Sequence, residues 1–250
     1  WLINISAQLV NKFNSRFKST VSIGYSERAA TASELYGFYL FNSSDGFDYI
    51  GNPVLKNESS LQAEVSGNYS RNMTKVQLTI FGSIINNYII GSINPGFSSM
   101  TIGARGVKTF ENIPKAWVAG FEASVVAKPF AQTELISTLR YSWGIHSNNE
   151  PLPFIPPLKN ITSIRYHPGR FSAQLESEAV VQQNRVSYKT GEDATPGYVL
   201  AHIRVGYVFG LLQSKLQVQS GVENLLDKPY HDHLDWGNIP RPGRNVYLQL

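Results

Sequence analysis

Strict alternation between apolar and polar residues runs along almost the whole 250-residue chain. Leu61, Ala63, Val65, Gly67 and Tyr69 interleave with Gln62, Glu64, Ser66, Asn68 and Ser70. Val199, Ala201, Ile203, Val205, Tyr207 and Phe209 interleave with His202, Arg204 and Gly206. A period of two sends one set of side chains to each face of a sheet. The pattern predicts an all-β chain of about eleven strands, with no helical periodicity between them.

The connections alternate as well. Short turns are expected near Asn11–Ser15, Arg71–Met73, Pro129–Gln132, Pro168–Gly169 and Gly210–Ser214. Long connections are expected at Glu27–Glu58, Ser92–Ala104, Ser147–Pro157, Val186–Pro196 and Asn224–Arg244. This succession makes an up-and-down meander with every long loop at one end, the asymmetry of outer-membrane barrels. Aromatic residues follow the same logic. Phe17, Tyr69, Tyr166, Phe171, Tyr207 and Phe209 sit beside short turns, while Tyr25, Trp117, Tyr141 and Trp143 sit towards the long loops. Two such bands match girdles at the two membrane interfaces, where rings with one wet end are favoured.

Composition narrows the choice. Charged residues make up 16%, low for a soluble domain, yet no apolar run is long enough for a membrane-spanning helix. Cysteine is absent, which removes disulfide frameworks and thiolate metal sites. The net charge of +4 is spread without a basic block, which disfavours nucleic acid as a partner. A soluble β-sandwich would also alternate. It would not explain long strands, one-sided loops and a reverse face of Gln, Glu, Asn, Ser and Arg.

The expected fold is therefore a transmembrane antiparallel up-and-down β-barrel. Eleven strands, beginning at Trp1 inside an alternating pattern, do not make a bacterial single-chain barrel of even strand number. An open edge in lipid would leave backbone groups unsatisfied at several kcal/mol each. More strands are expected before Trp1, with residues 1–250 forming the C-terminal portion of a larger barrel. The last strand reaches Leu250 without the terminal aromatic common in such barrels.

Three segments together resemble TonB-dependent outer-membrane transporters. They are Ser33–Gly37 with Gly51–Ser60, the strand "FENIPKAWVAGFEASV" at Phe110–Val125, and the closing "GVENLLDKPYHDHLDWGNIPRPGRNVYLQL". The resemblance implies a 22-stranded barrel of which this chain is the C-terminal half. It also implies a plug domain and a TonB-contacting box, neither of which is in this sequence. It implies import of a scarce metal complex or cofactor (ferric siderophore, haem, cobalamin, zinc or copper) across the outer membrane of a Gram-negative bacterium. The TonB–ExbB–ExbD complex would supply energy, and outer-membrane lipids and lipopolysaccharide would surround the barrel. No resident cofactor is required; a metal or metal chelate enters as cargo. The alternative is a passive porin with an open lumen.

Two places are candidates for ligand contact. The longest loop, Glu27–Glu58, holds Tyr36, Tyr39, Phe41, Asp45, Phe47, Asp48 and Tyr49. Aromatics and carboxylates at a pocket mouth suit an amphipathic ligand such as a metal chelate; they equally suit packing of the loop onto its neighbours. In the last loop, His231, Asp232 and His233 offer imidazoles and a carboxylate suited to zinc, copper or iron. His231 and His233 would share a face of an extended segment, but two ligands do not make a closed site. Lumen-facing Glu122, Arg140, Arg165, Glu176, Glu178, His202, Arg204 and Glu223 are expected to pair with one another or with plug residues. No catalytic residue is expected: His202 has no nucleophile beside it, and an enzyme is disfavoured.

Overall fold

The computed structural model describes residues 1–211, 214–235 and 238–250. Eleven long strands form one antiparallel sheet in chain order. They are β1 (Asn4–Lys12), β2 (Phe17–Arg28), β5 (Glu58–Arg71), β6 (Thr74–Ile93), β7 (Val107–Phe130), β8 (Thr133–His146), β9 (Lys159–Tyr166), β10 (Phe171–Val180), β11 (Tyr198–Leu211), β12 (Ser214–Glu223) and β13 (Asn245–Gln249). The expected loop between β2 and β5 carries structure of its own: a short helix α1 (Ala32–Tyr36), then β3 (Leu40–Asn42) and β4 (Phe47–Ile50). These raise the strand count to 13. The sheet is open, with β1 and β13 as its edges.

Short and long connections fall where alternation placed them, to within a few residues. The turn expected at Gly210–Ser214 includes residues 212 and 213, and the long connection expected at Asn224–Arg244 includes residues 236 and 237, all of which lie outside the described residues. The largest departure is the β6–β7 hairpin, whose strands run to 20 and 24 residues. A tilted strand crosses a membrane in about 9–11 residues. Both therefore continue far beyond the membrane on the long-loop side. Their alternation is broken there by Asn87, at φ 52°, and by Pro114, which is why sequence periodicity stops short of the true ends.

The two sheet faces differ chemically. Leu61, Val65, Ile80, Leu175, Ile203 and Val205 stand exposed on one face. The other carries Arg204 3.2 Å from Glu176, Lys159 2.8 Å from Glu178 and Arg140 3.8 Å from Glu122. These pairs confirm that the charged rows meet one another. The aromatic band expected at the short-turn end forms: Phe17 pairs with Tyr69 and Phe171 with Tyr207. What is buried lies elsewhere. Phe47, Ile89, Ile90, Val107, Ile113, Leu152 and Val186 cluster in the loops and in the outward extension of β6 and β7.

Candidate functional site

The five long connections converge at one end of the sheet, and a few polar groups lock them together. The first connection begins with a capping box. Thr31 Oγ1 accepts the Glu34 amide, and Glu34 accepts the Thr31 amide. This closes two amides that the short helix would leave open. Arg28, at the top of β2, holds Glu34 at 2.9 Å and Glu58 at 2.7 Å, tying the two ends of the loop. Burial disfavours the Glu34 carboxylate, but Arg28 and the Thr31 groups outweigh it and keep its pKa below the usual range.

Further along, Asp45 accepts from Lys108 Nζ at 2.5 Å and from the Tyr49 hydroxyl at 2.6 Å. Lys108 and Asp45 are both buried. Burial pulls the Lys108 ammonium down while Asp45 holds it up, with a net lowering. Burial and the adjacent carboxylate push the Tyr49 phenol up. Lys108 also sits 4.3 Å above the Phe47 ring, and Arg105 lies 5.4 Å from the same ring. Gly106 (φ +150°) and Gly191 (φ +75°) pack against Phe47, where any Cβ would press on the ring. One aromatic side chain thus joins the first, second and fourth long connections.

Asp48 is fully buried and works differently. Its Oδ2 accepts the Met100 and Thr101 amides at 2.8 and 2.9 Å. The Thr101 hydroxyl and these amides hold its pKa below the ordinary carboxylate value. The 94–106 connection is thereby pinned onto β4, which itself runs parallel to the start of β7.

Glu192 and His233 join the last three connections. Glu192 accepts the Phe154 amide at 2.9 Å and the Ser187 amide at 2.8 Å. His233 places Nδ1 3.0 Å from Thr195 Oγ1 and Nε2 3.2 Å from Glu192 Oε1. A second set lies nearby: Glu150 meets Lys189 at 2.6 Å and His146 at 3.4 Å. Lys189 holds the Glu150 carboxyl below its usual pKa. In the last loop, Asn224 accepts the Lys228 amide and donates to the Lys228 carbonyl. Tyr230 packs on Tyr198 at 4.7 Å, over the small cluster of Val180 and Leu200.

The candidate residues therefore divide. Asp45, Phe47 and Asp48 are buried; Asp45 and the Tyr49 hydroxyl are bonded within the protein, and Asp48 accepts through Oδ2 while its buried Oδ1 has no hydrogen-bond partner among the described residues. Tyr36 and Phe41 are exposed. Tyr39 takes a left-handed backbone (φ 49°) and stacks edge-on against exposed Phe38 at 5.0 Å. His233 is buried, while His231 and Asp232 are only half-buried. Among the described residues no group of three His, Asp or Glu is arranged to hold a metal ion. Sequence reasoning missed Lys108, Glu192 and Thr195. Lys108 lies beyond the end of the readable strand pattern, and Glu192 sits in a loop with no periodic signal.

The model of the family "TonB dependent receptor-like, beta-barrel" matches residues 8–225. Among solved structures, the copper transporter OprC superposes with a TM-score of 0.83 at 20% identity, covering 97% of this chain and 38% of that one. The siderophore receptor PirA from Acinetobacter baumannii gives 0.73 at 20% identity, covering 98% and 40%. A mutant of the ferric enterobactin receptor PfeA from Pseudomonas aeruginosa, in complex with enterobactin, gives 0.74 at 20% identity, covering 98% and 40%. This chain spans about two fifths of the length of each of these structures.

Proposed function

This chain belongs to the TonB-dependent receptor-like β-barrel family of the Gram-negative outer membrane, and on that premise we propose that residues 1–250 form the C-terminal portion of an active transporter. Its cargo is a scarce metal complex or cofactor, taken up at the long-loop end and driven inward by the TonB–ExbB–ExbD complex. It carries out no catalysis. The observation that supports import over passive diffusion most is the construction of the outer end. Connections fold inward over the charged face, with Leu152 packed onto Gly144 and Tyr230 onto Tyr198, and they are locked by buried charges. A capture device needs an ordered rim of this kind, whereas a diffusion pore needs only an open mouth.

Ligand contact falls to the exposed aromatic residues Tyr36, Phe38 and Phe41 and to half-buried Tyr39, which present flat surface to an amphipathic chelate. Asp45, Phe47, Asp48 and Tyr49 carry the loop that presents them. His231 and Asp232 remain available for a supporting polar contact, while His233 is buried with Nδ1 bonded to Thr195 and Nε2 3.2 Å from Glu192. The test is uptake of labelled metal complexes by cells expressing the full-length receptor, with and without TonB. Saturable uptake that vanishes without TonB supports the assignment; uptake that persists, linear in concentration, contradicts it and favours a porin.

A further inference from the structure

Basic residues that lie far apart in the sequence are gathered by the fold at its short-turn end. The five turns and the strand ends beside them, residues 12–18, 70–75, 128–134, 166–171 and 210–215, hold eight Lys or Arg and one Glu, a net +7 in a chain whose total is +4. Everything else therefore sums to −3 (4 − 7). The outer end and the wall spend charges in pairs, Lys108 with Asp45, Arg28 with Glu34 and Glu58, Arg204 with Glu176. At the short-turn end Lys128 lies 3.8 Å from Glu134, the one ion pair there among the described residues.

Register shows which way these cations point, because residues an even number apart in a strand share a face. Lys12 and Lys18 stand directly opposite each other on β1 and β2, and Lys18 is opposite Asn68 of β5. Asn68 shares its face with Glu64, whose row runs through Phe81 and Gly120 onto the face of Glu122. Lys75 precedes Thr79, the partner of Glu122, by four residues, and Lys215 precedes Gly221, the partner of Arg204, by six. Arg170 reaches over Gly210, which is opposite Lys215, with a guanidinium nitrogen 3.7 Å from the place of a Cβ. These side chains line the charged face. At the same height Phe17, Tyr69, Phe171 and Tyr207 occupy the other face, so acyl chains meet the rings and not the cations. All six, Lys12, Lys18, Lys75, Lys128, Arg170 and Lys215, are exposed. Like charges directly opposite each other weaken a strand pair, and a concave wall lined by one sign of charge concentrates its potential.

We infer that this row is an anion-binding station at the inner mouth of the barrel, where a polyanionic solute of chelate size rests on its way out. The inference rests on the transporter reading for what passes the mouth. It adds a site at the opposite end from the recognition loops and a sign of charge for what leaves. Loops and wall that are net negative, followed by a positive mouth, draw an anion inward and oppose the exit of a bare metal cation.

The test uses full-length receptor in mild detergent and two fluorescent probes, methoxypyrene trisulfonate and a pyrene bearing a single quaternary ammonium. A nitroxide on a cysteine at Met73, in the β5–β6 turn, should quench the bound trisulfonate, and one at Phe97, in the β6–β7 connection, should not. The quaternary ammonium probe should show no saturable quenching from Met73. Lys12→Gln/Lys18→Gln/Lys75→Gln should weaken trisulfonate binding about tenfold, the combined effect of three exposed ion pairs, and the triple Arg variant should retain it. Raising salt from about 0.1 M to about 1 M, where screening sets in within about 3 Å, should abolish binding in the wild type. Heat-modifiable migration on gels establishes that each variant is folded. Quenching from Phe97 alone, unchanged affinity in the triple Gln variant, or binding indifferent to salt would overturn the inference. So would unchanged affinity with faster proteolysis of the plug domain expected upstream, which would assign the row to holding that domain. Uptake that persists without TonB would count against the transporter reading and leave the measured anion site standing, so the two failures are distinct.

Discussion

Val65, at the centre of β5, is exposed beside its strand neighbours Val21 and Ile80, whereas Phe47, in the loop just before β5, is buried beneath Lys108 and beside Arg105. The two residues stand for two regions. At membrane level the sheet leaves its apolar face to the surrounding lipid, and its buried apolar residues lie in the outward parts of β6 and β7 and at the loop ends of β10 and β11. The outer loops, which meet water, build a core of their own from Phe47, Val107, Leu152 and Val186 and insert buried charges into it. A region stabilised by its solvent has to be uniform; a region stabilised by its own contacts can be specific. That division suits a receptor whose membrane portion is a wall and whose loops do the recognising.

Four perturbations sharpen the contrast, taken in order of expected effect. Lys108→Met leaves the buried Asp45 carboxylate without its cation and should cost about 3–5 kcal/mol of outer-loop stability. Hydrogen exchange should accelerate around residues 45–49 and 100–108 while β10 and β11 stay protected, and Asp45→Asn in the same chain should restore most of the loss. Equal acceleration throughout would mean that sheet and loops are not separate units. Val65→Arg, mid-strand on the apolar face, should cost about 2–4 kcal/mol in folding titrations into lipid vesicles. Gln62→Arg, on the opposite face, should cost close to nothing, and similar costs for both would erase the difference between the faces.

Thr31→Ala removes the cap of α1 and should cost about 1 kcal/mol, detectable as faster proteolysis within residues 29–57 alone. The smallest effect is that of acid. Asp48, Glu34 and Glu150 have folded pKa values below their ordinary ones. Near pH 4 the unfolded loops bind more protons than the folded ones. The stabilisation is therefore complete above the usual carboxylate range and is lost as pH falls through the lowered folded values. Protease sensitivity of the loops should rise below about pH 4, with the sheet unchanged; loops that loosen first at neutral pH would contradict this.

The sheet was legible because its physics is periodic. Membrane on one side and water on the other force every second residue of β5, β10 and β11 into the same class, so strands, faces and girdles follow from reading alternate letters. The loops offered no such rule. Asp45, Phe47, Asp48 and Tyr49 carry the residue types expected of a ligand mouth, yet the burial of Asp45 and Asp48 depends on Lys108, Met100 and Thr101, more than fifty residues away. His231 and His233 look equivalent in sequence; in the fold only His233 is buried, beside Thr195 and Glu192, about forty residues away. Composition shows that a loop is rich in chemistry, and only long-range contacts show which of its groups are spent. The β6–β7 extension falls between these cases, since its pairing is regular but Asn87 and Pro114 interrupt the pattern that would reveal it.

The central claim is that one face of this sheet lies in hydrocarbon and the other in water, and adjacent residues test it most directly. The chain has no cysteine, so spin labels can be placed singly at Glu64 and Val65 in full-length receptor reconstituted into bilayers. The account predicts that the label at 65 relaxes with oxygen, which partitions into lipid, and the label at 64 with a water-soluble nickel chelate. Two labels with the same response, whether both wet or both shielded, would contradict it.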